Sequence, residues 1–151
     1  MELTQKEKDF LNDFSKEEQL CIDKYERYEK EANDEGLKSL FATLRQNEMA
    51  HKQTIDRIMA GENVHFAPAP SAVSQSFSCL PSSCKADERA SDAFLCQDAL
   101  STEKHVATTY NTGIFEFAQP SLRDVLGHIQ KEEQNHGEQL YQYLALNQMY
   151  Q

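Results

Sequence analysis

Apolar residues recur at three- and four-residue spacing through the first part of the chain, as Phe10, Leu11, Phe14, Cys21, Ile22 and Tyr25, then as Leu37, Leu40, Phe41, Leu44, Ile55 and Ile58. That period belongs to helices with one buried stripe, and it predicts two of them between Leu3 and Ala60. Thr4 followed by Glu7 has the spacing of a capping box, and Asn33-Asp34-Glu35-Gly36 supplies residues that end one helix and begin another. A break that short folds the pair into an antiparallel hairpin over residues 4–60.

The pattern lapses from Gly61 to Lys85, where Pro68, Pro70 and Pro81 stand among serines and Glu62 is the one charged residue from 62 to 84. This reads as an irregular connector. Periodicity resumes with Phe94, Leu95, Leu100, Val106, Tyr110, Ile114 and Phe117. It breaks at Gln119-Pro120-Ser121 and continues through Leu122, Val125, Leu126, Ile129, Leu140 and Leu144. Pro120 suits the first turn of a fourth helix, so residues 86–146 form a second hairpin. Extended, the connector reaches about 80 Å, whereas a helix of its length spans about 37 Å. It is long enough to run the length of a bundle and leave the second and third helices parallel. The expected architecture is all-α: one domain over residues 1–151, built as two antiparallel hairpins joined by a long crossover.

Charge narrows the range of partners. With 25 acidic and 15 basic side chains the net charge is -10, which argues against nucleic acid and anionic lipid and favours cations. No apolar run approaches the roughly 20 residues of a membrane helix, and the charged start, Met1 to Lys8, is unlike a secretory signal peptide. The expected setting is soluble and intracellular. Four cysteines in 151 residues form neither paired C-x-x-C sets nor a disulfide scaffold. Cys21 and Cys96 fall on apolar positions and read as small core residues. Cys79 and Cys84 lie in the connector with His65 nearby, a set without an established zinc spacing. His105 and His128 read as surface or boundary residues.

Shifting the chain by 85 residues aligns Glu18 with Glu103, Tyr25 with Tyr110, Leu37 with Leu122, Glu48 with Glu133 and His51 with His136. Each half therefore carries an E-x-x-H and a glutamate 30 residues before it. Glu and His at i and i+3 share a helix face about 5 to 6 Å apart, close enough to serve one metal. Four carboxylates and two divalent cations together are neutral, whereas the carboxylates alone must be buried as like charges or take up protons. The spacing by itself carries little weight: Glu62-Asn63-Val64-His65 has it too, in the connector, where it reads as chance.

Glu18, Glu48-Met49-Ala50-His51, Glu103 and Glu133-Gln134-Asn135-His136 resemble the ferritin-like di-iron carboxylate superfamily, which includes rubrerythrin and bacterioferritin. Leu100-Ser101-Thr102-Glu103-Lys104-His105, Tyr110-Asn111-Thr112 and Ile129 to Gly137 are similar to the spore coat F family of endospore-forming bacteria. The resemblance implies a ferritin-like four-helix bundle holding two divalent metal ions, iron or manganese. Glu48 and Glu133 would bridge them, Glu18 with His51 would complete one, and Glu103 with His136 the other. Tyr25 and Tyr110 would bond to ligand carboxylates, the alternative being ordinary core aromatics with buried hydroxyl partners. The implied activity is an oxidase- or ferroxidase-like reaction with O2 or peroxide, and the alternative is a structural coat or interaction protein with a structural or vestigial site. Implied partners are metal ions, a small oxidant, a second copy of the chain or spore coat proteins; the implied location is cytoplasm or spore coat. The absence of a rubredoxin-type cysteine quartet, and Leu100 in place of a further carboxylate before Glu103, argue against a peroxidase. The short chain after the fourth helix argues against a storage shell.

Overall fold

A computed structural model describes residues 2–65 and 79–150. It contains four helices and, among the described residues, no strand: α1 (Gln5–Glu31), α2 (Glu35–Met59), α3 (Ala86–Ile114) and α4 (Pro120–Leu146). Three of them begin where the sequence placed a start signal, and α3 begins after Lys85, whose N–H donates to the Glu88 carboxylate at 3.1 Å. The Thr4 hydroxyl accepts the Glu7 N–H at 3.1 Å, Asp34 accepts that of Leu37 at 3.2 Å, and Pro120 occupies the first turn of α4. Gly36, expected in the turn, instead lies inside the first turn of α2, because Asp34 already caps that helix. The middle of the expected connector, residues 66–78, lies outside the described residues.

Pairings between helices fix their directions. Going up α1, Lys6 meets Glu116, Glu18 meets Tyr110, Tyr25 meets Glu103 and Asn33 meets Asp92, so α3 runs antiparallel to α1. Asp34 meets Tyr143 and His51 meets Glu133, so α4 runs antiparallel to α2. With each hairpin also antiparallel, α2 and α3 are parallel. Cys79 lies against Gly36 at the start of α2, whereas Gly61 follows its end, so the described ends of the connector stand at opposite ends of that helix. No helix among the described residues is long and apolar enough to cross a membrane.

The predicted stripes meet in one apolar core that includes Leu11, Phe14, Leu37, Phe41, Leu44, Ile55, Val106, Leu122, Ile129 and Leu140. Phe14 stacks on Tyr110 with ring centroids 4.4 Å apart. A Cβ on Gly113 would lie 2.3 Å from Phe14 Cζ, so only glycine lets that ring lie so close to α3. Cys21 and Cys96 are buried as expected, and burial pushes the Cys96 thiol up to about 12. Phe94 departs from its expected core position. It is 68% exposed, because its neighbours Leu95 and Cys96 hold the buried face of α3.

One buried polar group organises the end of the bundle. Asp92 on α3 is fully buried, and its carboxylate accepts the backbone N–H groups of Asn33 at 2.8 Å and Asp34 at 2.9 Å, and the Asn33 amide at 3.2 Å. It thus gives partners to N–H groups in the α1–α2 break. Tyr143 on α4 donates to Asp34 Oδ2 at 2.9 Å, tying the same break to the other hairpin. Removing a buried acceptor leaves its donors unpaired at about 1–3 kcal/mol each. Asp92→Ala is expected to destabilise the chain by about 3 kcal/mol, seen as a lower urea midpoint at an unchanged slope. A midpoint equal to wild type would show that the break holds without Asp92.

Candidate metal centre

The six predicted ligand residues meet at the centre of the bundle. All are buried, from Glu18 and Glu48 at 0% exposure to His51 at 4%. They form two overlapping groups, Glu18, Glu48, His51 and Glu133, and Glu48, Glu103, Glu133 and His136, with ligand atoms in each group lying within 4.8 Å of one another. Glu48 and Glu133 belong to both. Among the described residues no group of this kind includes Cys79, Cys84 or His65. All four cysteines are free, and Glu62 of the connector E-x-x-H pairs instead with Arg57, at 2.6 Å.

Both imidazoles turn Nδ1 toward carboxylates. His51 Nδ1 lies 2.8 Å from Glu133, 3.6 Å from Glu48 and 3.8 Å from Glu18. His136 Nδ1 lies 2.7 Å from Glu48 and 3.4 Å from both Glu103 and Glu133. The rings stack 5.7 Å apart. This convergence leaves buried atoms without hydrogen-bond partners: Glu18 Oε2, both Glu48 oxygens, Glu103 Oε2, Glu133 Oε2, His51 Nε2 and His136 Nδ1. A buried polar atom left unpaired costs free energy, so a cluster of them facing one another calls for a further ligand. Carboxylate oxygens and imidazole nitrogens are the donor set that divalent iron or manganese takes. The residues therefore fit two such ions.

The tyrosines bond across the repeat. Tyr25 of the first hairpin donates to Glu103 Oε1 of the second, and Tyr110 of the second donates to Glu18 Oε1 of the first at 2.6 Å. Each fixes one oxygen of the carboxylate that belongs to a single group. Burial pushes both phenols well above their usual range, with the facing glutamates adding to it, so they stay protonated as donors.

Two contacts had no counterpart in the motif reading. Glu132 Oε1 lies 3.4 Å from His51 Nε2 and 2.7 Å from His128 Nε2, so His128 adjoins the centre through Glu132. Asn47 Nδ2 lies 3.3 Å from His136 Nε2. Asn47 and Glu132 are the same position of the repeat, each immediately before its E-x-x-H and each set against the other half's histidine. An acceptor facing Nε2, as Glu132 faces His51, favours the tautomer whose Nδ1 is free to ligate. Asn47 sets its amide nitrogen, a donor, against His136, and serves the same tautomer only with its amide oxygen turned to that ring. The repeat offset contained this signal. His105 lies away from the cluster, exposed beside Glu17.

A family model described as the Coat F domain matches residues 91–151, most of α3 and all of α4. No curated protein and no solved structure matches the chain. The second hairpin is thus similar to the Coat F domain, and the match spans Glu103, Glu133 and His136.

Without metal, the cluster must hold protons. Burial, reinforced by the charge of Glu133, pushes the Glu103 carboxyl from its ordinary 4.5 up to about 8. Burial also raises Glu48, aided by Glu18 and Glu103. Burial opposes charge on His51 and His136, but the attraction of the surrounding carboxylates outweighs it and raises both. A raised folded-state value contributes stability that is complete below the unfolded value and lost as pH rises through the folded one. Glu133 is the opposite case: burial raises it, but bonds with Glu103, His136 and His51 hold it well below the usual range, so its contribution is lost only in acid. Between about pH 5 and 8 the raised groups decide the sign. Chelator-treated protein should therefore melt several degrees higher at about pH 5.5 than at about pH 8.5, with Mn(II) closing the gap at the higher pH. Equal melting temperatures in chelator would contradict this charge balance.

Proposed function

We propose that this chain is a ferritin-like bundle that holds two divalent cations, iron or manganese, bridged by Glu48 and Glu133. Glu18 and His51 complete one position, and Glu103 and His136 the other. The observation that carries the reading is the pair of buried four-residue groups sharing those two glutamates, with most of the unpartnered buried oxygens at their centre. Parallel α2 and α3 support the ferritin-like arrangement, since that fold places one long crossover between its hairpins.

Iron or manganese held this way supplies redox chemistry toward O2 or peroxide. The protein's part is positioning. Tyr25 and Tyr110 hold one oxygen each of Glu103 and Glu18, leaving the other to ligate. Asn47 and Glu132 lie against the Nε2 edges of His136 and His51. Apolar stripes from all four helices surround the site, which strengthens the charge interactions inside. Glu103, whose carboxyl is raised by burial, would give up its proton in holding a cation, because the positive charge would replace it. We read the chain on this basis as an oxidase- or ferroxidase-like oxidoreductase.

The Coat F match favours a second reading, in which the bundle is a spore coat component, coat proteins are its partners, and the metal serves stability alone. Fold does not choose between them, because function lies in the site. Metal analysis of protein purified without added metal, with optical spectra before and after exposure to air, separates the two. A spectral change on oxygenation supports redox chemistry; bound metal that is inert to O2 supports the structural reading.

On the two-metal geometry, titration with Mn(II) should give about two ions per chain for wild type and about one for His51→Ala or His136→Ala. Glu48→Ala and Glu133→Ala should weaken both positions, since each removes a shared carboxylate. A wild-type chain that binds no metal, together with variants as stable as it is, would sink the proposal.

A further inference from the structure

The two halves differ in how they cover the centre. On the first hairpin Ser15 donates to Asp56 at 2.7 Å and Lys52 donates to its other oxygen at 2.6 Å, a polar bridge from α1 to α2. The repeat places Leu100 at the position of Ser15, Ala107 at that of Ile22, Gly137 at that of Lys52 and Tyr141 at that of Asp56. No bridge can form from those side chains, and two of them are small. In its place the α3–α4 face has a cavity of about 350 Å³, whose walls include Leu100, Ala107, Gly137, Tyr141 and Tyr150. Glu103 and Glu133 also line it, and both carry a buried oxygen without a partner.

We propose that this cavity is a binding site for a small uncharged aromatic molecule, which reaches the buried carboxylates from the second hairpin. Its chemistry selects the class. Tyr141 and Tyr150 stand edge to face with centroids 4.9 Å apart and offer ring surfaces for stacking. The aliphatic walls cannot compensate the desolvation of a charged ligand. Of the four acidic or basic side chains that line the cavity, Lys104 and Glu138 carry one charge of each sign, and Glu133 and Glu103 face His51 at 2.8 Å and His136 at 3.4 Å, so no unbalanced charge draws in an anion or a cation. The cavity's role as an approach to a reaction centre rests on the metal reading above.

Three probes of one shape separate these terms: benzyl alcohol, benzoate and benzylamine, titrated by NMR into the full chain, chelated and then loaded with diamagnetic Zn(II), with metal content measured on each sample. Benzyl alcohol should shift the amides of Ala107, Gly137 and Tyr141, and should bind at least about ten-fold more tightly than either charged analogue, a difference of about 1.4 kcal/mol. Gly137→Leu should weaken it at least about ten-fold, since a Cβ there meets only Leu100 at 3.6 Å and the longer side chain extends into the cavity. Gly127→Leu is the control: it makes the same change in the same helix, where a Cβ meets nothing within 4 Å, and should bind as wild type does. Equal binding by Gly137→Leu and wild type, shifts elsewhere, or tighter binding of a charged analogue would overturn the proposal. Concentration-dependent shifts of the same amides without ligand would overturn it as well, assigning the face to a second copy. A chain that takes up no metal but still binds benzyl alcohol at Gly137 would refute the metal centre and leave the cavity site standing.

Discussion

Four carboxylates and two imidazoles sit in the middle of an otherwise apolar core, and the rest of the bundle is arranged around the cost of keeping them there. An isolated ionised carboxylate in such surroundings is strongly disfavoured, and four side by side add mutual repulsion. The chain spreads the load. Glu103 and Glu48 are held toward their protonated forms, while the two histidines are held toward theirs and keep Glu133 charged. Even so, buried oxygens remain without partners. An apolar replacement of similar size would pack without that penalty. What the arrangement supplies instead is a preformed set of ligand atoms, which is the physical ground for reading it as a metal centre.

The second constraint is cross-bracing. Each half of the repeat orients ligands of the other: Tyr25 acts on Glu103, Tyr110 on Glu18, Asn47 on His136 and Glu132 on His51. A hairpin alone would bury neither its glutamates nor their partners. Ligand geometry and hairpin docking are therefore one property of the chain, and the Asp92 and Tyr143 contacts to the α1–α2 break fix the same docking from one end.

Much of this was legible beforehand because it is periodic. Helical stripes, the Thr4 and Asp34 caps, Pro120 and the paired E-x-x-H all repeat at spacings set by the helix itself. The tyrosines were legible through the repeat offset, although their exchange between halves needed the packing. Asp92 was not, since a lone aspartate on a helix gives no local sign that it reaches a turn far away in sequence. Phe94 misled for a related reason: an aromatic next to a buried stripe satisfies the pattern within one residue, and only packing decides which side it takes. Gly36 has turn chemistry but lies one step too late, because the Asp34 side chain began the helix first.

The cavity belongs to a further class, features that arise from a difference between repeats. Where both halves needed the same atoms, the residues stayed the same, at Glu18 and Glu103, Glu48 and Glu133, His51 and His136. Where they cover the centre they differ, a Ser–Asp–Lys bridge on one side and Leu100, Ala107 and Gly137 on the other. Neither set is informative alone, since a glycine on a helix and a serine beside an aspartate are both ordinary. Their alignment is what gives them meaning: the shared positions mark the centre, and the unshared ones mark its open side. The Coat F match spans α4 and most of α3, the half that carries this opening.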